Sequence, residues 1–125
     1  MNVKFRPIFR AGAVGNDKQL KMACLRALGA FGDPKDEQIL QMGATDQDWV
    51  IRNIALKGLA HLRTKSALDT VKMALYDKER WVRHTAASAL LQMGVAPAVL
   101  EEILSGSDRF AADALKRELY KKSGL

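Results

Sequence analysis

The chain has 125 residues, an apolar fraction of 48% and a mean hydropathy of −0.14. This composition is typical of one soluble folded domain and excludes a disordered or membrane-embedded chain. No run approaches the roughly 18 apolar residues that a membrane span requires, so no span is expected. The net charge of +6 permits attraction to nucleic acid or to acidic protein and lipid surfaces.

The only cysteine is Cys24, so a disulfide within one chain is excluded, and a reducing, cytoplasmic location is expected. Residues 1–7 also lack the apolar core of a secretory signal peptide. Cys24 lies on the apolar face of a predicted helix, and nothing in the local sequence marks it as an activated thiol. We therefore expect it to be a buried core residue.

Apolar residues recur at helical spacing along the chain, which predicts an all-α protein. Residues 5–14 form either a short helix that begins near Pro7, which suits a first helical turn, or an irregular N-terminal arm. The second predicted helix, over residues 17–31, has Asn16 or Asp17 as its N-cap. The other predicted helices cover residues 34–42, 48–63, 67–76, 79–93, 97–104 and 108–121.

Some local expectations follow from the same pattern. Ser66 is the predicted N-cap of helix 67–76. Leu20 and Phe110 are assigned to apolar faces that should be covered by neighbouring helices. Gly58 lies where the other copies of its helix carry Ala, so we expect a small residue there to allow close approach of a neighbouring helix.

The sequence of residues 77–90 repeats the pattern of residues 46–59. In each copy an Asp precedes an Arg by six residues, with Ala three residues and Leu seven residues after the Arg. The same offset separates Asp46 from Asp77 and Arg52 from Arg83, and we call it the repeat period. It lies within the roughly 20–50 residues that indicate a repeat architecture. The matching residues are Asp46, Arg52, Ala55 and Leu59 in the first copy and Asp77, Arg83, Ala86 and Leu90 in the second.

Short and longer helices alternate, with Asp in the turn within a repeat and a Val-Arg pair opening the second helix, although Ile51 replaces the Val in the first copy. This pattern resembles the HEAT family, and most closely the short bacterial HEAT-like repeats of phycobilisome lyases. The resemblance implies an α-solenoid (α-α superhelix) of about four HEAT-like helical hairpins in one domain of residues 1–125. The implied repeats cover approximately residues 5–31, 34–63, 66–94 and 97–121, and the last helix would act as a cap.

In that family the turn Asp and the helix Arg form a ladder between neighbouring repeats. If this carries over, the ladder residues are structural rather than functional. The first and last predicted helices lack the Asp and Arg pair, which is a departure from the family pattern. The implied ladder residues are Asp46, Arg52, Asp77 and Arg83.

In such a stack the second helices line the concave side, and a shift by the repeat period arranges their non-core residues in rows. The resulting ridge is basic and carries polar hydrogen-bonding groups, so we predict that it binds a partner. The rows are Lys18, Trp49 and Arg80; Met22, Asn53 and His84; and Arg26, Lys57 and Ser88. The predicted partner-binding residues are Arg26, Trp49, Asn53, Lys57, Arg80, His84 and Ser88.

The aromatic and histidine residues also have structural interpretations. Trp49 and Trp81 stand one register apart, so we expect them not to share one site and at least one to pack against the preceding short helix. His61 and His84 lie on different predicted helices, with no cysteine or carboxylate cluster at ligand spacing. No metal site is therefore predicted.

The sequence contains no Gly-rich phosphate loop, no His-Glu pair and no convincing Ser, His and acid set. We therefore predict no catalytic residues, no enzyme activity and no cofactor. The predicted function is a non-catalytic protein-interaction module or scaffold that binds an acidic protein or peptide on the concave ridge. Two alternatives stay open: a binder of nucleic-acid backbone through Lys18, Arg26, Lys57 and Arg80, and an accessory lyase or chaperone subunit implied by the family resemblance alone.

Overall fold

Eight α-helices make up most of residues 5–124, the part of the chain that the computed structural model describes. They are α1 (Arg6–Ala13), α2 (Lys18–Phe31), α3 (Glu37–Gly43), α4 (Trp49–Leu62), α5 (Lys65–Ala74), α6 (Arg80–Gln92), α7 (Pro97–Ser105) and α8 (Arg109–Ser123), with a 3-10 turn at Pro34–Asp36 before α3. The predicted single domain of residues 1–125 includes residues 1–4 and 125, which lie outside the described range.

Consecutive helices pack as hairpins, α1 with α2, α3 with α4, α5 with α6 and α7 with α8. The second helix of each hairpin also packs on the second helix of the next, so α2, α4, α6 and α8 form a continuous layer. One apolar core runs through the stack, and its fully buried side chains include Leu25, Leu59, Val82, Leu90 and Leu115. This arrangement confirms the predicted all-α solenoid of helical hairpins.

Side-chain caps fix where several of these helices begin. The carboxylates of Asp17, Asp48 and Asp108 accept hydrogen bonds from backbone N–H groups in the first turns of α2, α4 and α8, at 3.0, 2.8 and 3.0 Å. At α5 the predicted cap is wrong by two residues. Thr64 caps this helix through its Oγ1, whereas Ser66 already lies within the first turn.

Helices α2 and α4 meet at two glycines. A Cβ atom on Gly29 would stand 2.8 Å from the Cα of Gly58, and one on Gly58 would stand 2.9 Å from the Cα of Gly29. The expectation that a small residue at position 58 allows close helix approach is therefore confirmed. One repeat later the corresponding positions hold Ala60 and Ala89, and both residues are buried.

Burial confirms some local expectations and corrects others. Cys24 is 2% exposed, and burial raises the pKa of its thiol, as expected of a core residue. Leu20 and Phe110, in contrast, are 49% and 62% exposed. Phe110 lies in the first turn of α8, the last helix of the described range, and no further repeat covers it there.

Candidate functional site: a groove across the second helices

Ion pairs link successive hairpins, and two of them lie at positions of the predicted ladder. The Nζ of Lys21 lies 3.2 Å from Oδ2 of Asp46. Arg52 donates from Nε and Nη2 to the two carboxylate oxygens of Asp77, both at 3.0 Å. Lys21 precedes Arg52 by one repeat period, so it occupies the Arg position of the ladder in the first repeat. The sequence analysis did not assign it to the ladder.

Arg83 departs from this arrangement. Its Nη1 donates to the carbonyl oxygens of Asp77 and Lys78, at 3.0 and 3.1 Å, but within residues 5–124 it makes no ion pair. Its guanidinium lies over the ring of Phe110 instead, 5.0 Å from the centroid. The loop before α8 carries Gly106 two residues before the N-cap, where the two preceding repeats carry Asp. Arg83 therefore stabilises its own turn but, among the described residues, does not form the ion pair expected of a ladder residue.

A groove of about 790 Å³ opens across α4, α6 and α8. It brings together six of the seven sequence-predicted binding residues, namely Trp49, Asn53, Lys57, Arg80, His84 and Ser88. The seventh, Arg26, lines a separate hollow of about 400 Å³ between α2 and α4, whose wall also includes Asn53 and Lys57. Whether these residues bind a partner stays a prediction.

Both tryptophans line this groove, which corrects the expectation that they do not share one site. Trp49 is 38% exposed and Trp81 is 54% exposed, so both present part of their ring surface to solvent. They share one site because the groove spans three helices, so it includes side chains from neighbouring positions of the repeat. The guanidinium of Arg80 lies over the ring of Trp81, 5.5 Å from its centroid.

Helix α8 contributes groove residues that the repeat pattern in the sequence did not predict. The N-caps of α2, α4 and α6, at positions 17, 48 and 79, follow the repeat period, but the N-cap of α8 is Asp108, two residues earlier than that period predicts. A shift by the full period therefore places α8 out of register. The cap signal of Asp108 itself would have corrected the alignment. The missed groove residues on α8 are Arg117, Glu118, Tyr120 and Lys121.

The groove carries an excess of positive charge. Among the described residues its lining includes four cations, Lys57, Arg80, Arg117 and Lys121, and one carboxylate, that of Glu118. Glu118 is only 7% exposed, and its Oε1 lies 3.4 Å from the Nζ of Lys121. An anionic partner would therefore be attracted to the rim rather than to the floor.

His84 faces Glu118 across the α6–α8 interface, with 3.9 Å between Nδ1 and Oε1. Burial holds the pKa of His84 below its ordinary value of 6.5, and the neighbouring cations Arg80, Arg117 and Lys121 lower it further against the opposing effect of Glu118. At neutral pH the imidazole is accordingly mostly uncharged. It supplies hydrogen-bonding capacity to the groove rather than charge.

No group of three or more His, Cys, Asp or Glu side chains in residues 5–124 is placed to hold a metal ion. None of the helices described is long and apolar enough to cross a membrane. The groove offers aromatic faces, cations and hydrogen-bonding groups.

These features define the class: a helical-repeat solenoid with an open, basic and aromatic groove on its second helices. The family model for HEAT repeats matches residues 37–119, about two thirds of the chain, and the chain belongs to the HEAT-repeat family. A comparison with curated proteins gives no match. HEAT repeats are generally protein-interaction scaffolds.

Proposed function

We propose that the protein is a non-catalytic interaction module, located in the cytoplasm, whose groove binds an acidic peptide or an acidic segment of a partner protein. The observation that carries this proposal is the joint lining of one groove by two exposed tryptophans and four cations. Exposed aromatic rings supply apolar contact area, and arginines pair with carboxylates through two parallel hydrogen bonds. The location rests on the single, buried Cys24, which suits a reducing compartment.

The cations lie on different helices around the groove, so an extended acidic segment would contact several at once. Lys57 comes from α4, Arg80 from α6 and Arg117 from α8. A ligand that crosses the groove would thus bridge three repeats. This geometry favours an elongated peptide over a compact small molecule.

Charge reversal within the groove tests the proposal. The variant carrying Lys57→Glu and Arg117→Glu is compared with the wild type in affinity purification from native lysate, with nuclease added. A matched control carries Lys65→Glu and Lys116→Glu, the same charge change at exposed residues outside the groove. Loss of a captured acidic protein in the groove variant alone is the expected result. Equal capture by both variants would show that the groove is not the site.

A nucleic-acid binder is the second candidate, and the exposed tryptophan pair favours it because bases stack on aromatic rings beside cations. It ranks below the first because two of its predicted phosphate contacts are unsuitable. Lys18 is paired with Asp48, with 2.5 Å between Nζ and Oδ2, and Arg26 lies outside the groove. Quenching of tryptophan fluorescence by single-stranded DNA, weakening steeply as salt rises, would support it.

The phycobilisome-lyase subtype, with the accessory lyase or chaperone role that it implies, is a proposal from sequence resemblance alone. The HEAT-repeat match supports the family but does not distinguish this subtype. A search for a bound bilin chromophore after co-expression with the candidate pigment protein would test it. An interaction role requires fewer assumptions, since it needs only the groove.

A further inference from the structure

The Arg52 side chain shows how this fold binds a carboxylate. Its Nη1 donates to the carbonyl oxygens of Asp46 and Gln47, at 2.9 and 3.0 Å, which fixes the guanidinium against its own turn. The Nε and Nη2 atoms then point to the next repeat and bind both oxygens of Asp77. One edge of the guanidinium is therefore structural, and the other binds an acid.

Arg83 makes the same kind of hydrogen bonds to its own turn as Arg52, but within the described part of the chain it lacks the contact with a carboxylate. Its Nη1 donates to the carbonyl oxygens of Asp77 and Lys78, the two positions that correspond to those held by Arg52. Its Nε and Nη2 have no hydrogen-bond partner within residues 5–124. The side chain is partly exposed, and neither atom is among the buried unpartnered ones, so both remain accessible to solvent.

We propose that this open edge of Arg83 is a second binding site, outside the groove, for the carboxylate of an Asp or Glu side chain on a partner protein. The acidic residue would take the place that Asp77 takes on Arg52. The site does not line the groove, and its occupancy is independent of whether the groove binds anything. Because Nη1 is already held by two carbonyls, little side-chain entropy is lost when the acid binds.

Phe110 supplies the second element of this site. Its ring lies beneath the guanidinium of Arg83, and the side chain is 62% exposed. An apolar residue next to the partner's acid would cover this ring while the carboxylate pairs with Nε and Nη2. The partner motif is therefore an Asp or Glu adjacent to an apolar residue. A phosphate is less well matched, because the open edge offers only two donors from one arginine, whereas phosphate sites gather several donors.

Side-chain NMR tests this proposal directly. The probes are acetylated, amidated peptides of sequence Gly-Leu-Asp-Gly and Gly-Leu-Asn-Gly, titrated into 15N-labelled protein while the Nε–Hε signal of Arg83 is followed. A saturable shift with the Asp peptide is expected, with at least tenfold weaker binding of the Asn peptide. Equal affinity for both peptides, or no shift of Arg83, would overturn the proposal. Tighter binding of inorganic phosphate than of the Asp peptide would also overturn it.

Substitutions distinguish a binding role from a structural one. Arg83→Lys keeps the charge but loses the two-point geometry, and at least tenfold weaker binding of the Asp peptide is expected. Phe110→Ala leaves Arg83 intact and should weaken binding several-fold, so it provides the test if Arg83→Lys fails to fold. The matched control is Arg109→Lys, at an exposed neighbouring position. Unchanged affinity in both Arg83→Lys and Phe110→Ala would contradict the assignment.

Discussion

Arg52 donates to both carboxylate oxygens of Asp77 at 3.0 Å, and this ion pair helps to join the second hairpin to the third. The Arg52 side chain is 10% exposed and that of Asp77 is 15% exposed. Removing one partner of such a pair leaves a charge with little access to water. The same guanidinium also satisfies two carbonyl groups of its own turn, so its loss affects two interactions at once.

Replacing Arg52 by Gln should lower the free energy of unfolding by about 3 kcal/mol, because it leaves the Asp77 carboxylate without its cation and two carbonyls without their side-chain donor. Urea unfolding followed by circular dichroism measures the change. Lys21→Gln is the control, since Lys21 makes one contact to Asp46 and is more exposed, and its loss should cost less than about 1 kcal/mol. Equal losses in the two variants would contradict the interpretation.

Gly58→Ala tests the contact between α2 and α4. The added Cβ would stand 2.9 Å from the Cα of Gly29, which is backbone and cannot rotate away. We expect a loss of about 1–3 kcal/mol from overpacking, although Ala is otherwise the better helix former. Gly29→Ala should behave alike, and the double variant should lose less than the sum. Strict additivity, or a gain in stability, would show that the helices can move apart freely.

Trp81→Ala should weaken binding of an acidic partner at least tenfold while changing the free energy of unfolding by about 0.5 kcal/mol or less. The side chain is 54% exposed, so folding gains little from it, whereas aromatic residues often dominate interfaces. Isothermal titration with a captured acidic peptide, together with urea unfolding, checks both parts. Tyr76→Ala is the control, because Tyr76 is similarly exposed but lies outside the groove.

The stability of the protein should decrease on acidification, because His84 binds a proton more readily in the unfolded chain than in the folded protein. Burial holds the pKa of His84 in the folded state below its ordinary value of 6.5. The unfolded chain therefore binds more protons as the pH falls through 6.5, and unfolding becomes easier. This loss is complete once the pH is below the folded-state pKa, and it is absent well above 6.5.

Urea unfolding at successive pH values tests this dependence. The His84→Gln variant should lose less stability on acidification than the wild type, since it lacks the titrating group. Ser88→Ala, a groove substitution that retains His84, should keep the wild-type slope. A slope that is the same with and without His84 would rule out the contribution.

Much of the scaffold follows from the sequence. The repeat period, the Asp caps at positions 17, 48 and 108 and the glycine at position 58 depend on neighbours within a turn or on a simple repeat. These local signals placed the helices to within a few residues, with the main cap error at Ser66. There a hydroxyl two residues earlier, that of Thr64, could reach the free N–H group of Ala67.

Tertiary packing decided the rest. It placed Trp81 in the same groove as Trp49, brought Glu118 beside His84 and left one edge of Arg83 open, because these outcomes depend on how helices from different repeats lie against one another. The periodic alignment failed at α8, because the loop before it is two residues shorter than the loop before α6 and shifts the sequence register of α8 by two positions. The sequence by itself determined the helices and their stacking order, which local spacing and burial dictate. Only the tertiary structure determined the composition of the groove, because the way the helices pack decides which of their side chains lie together.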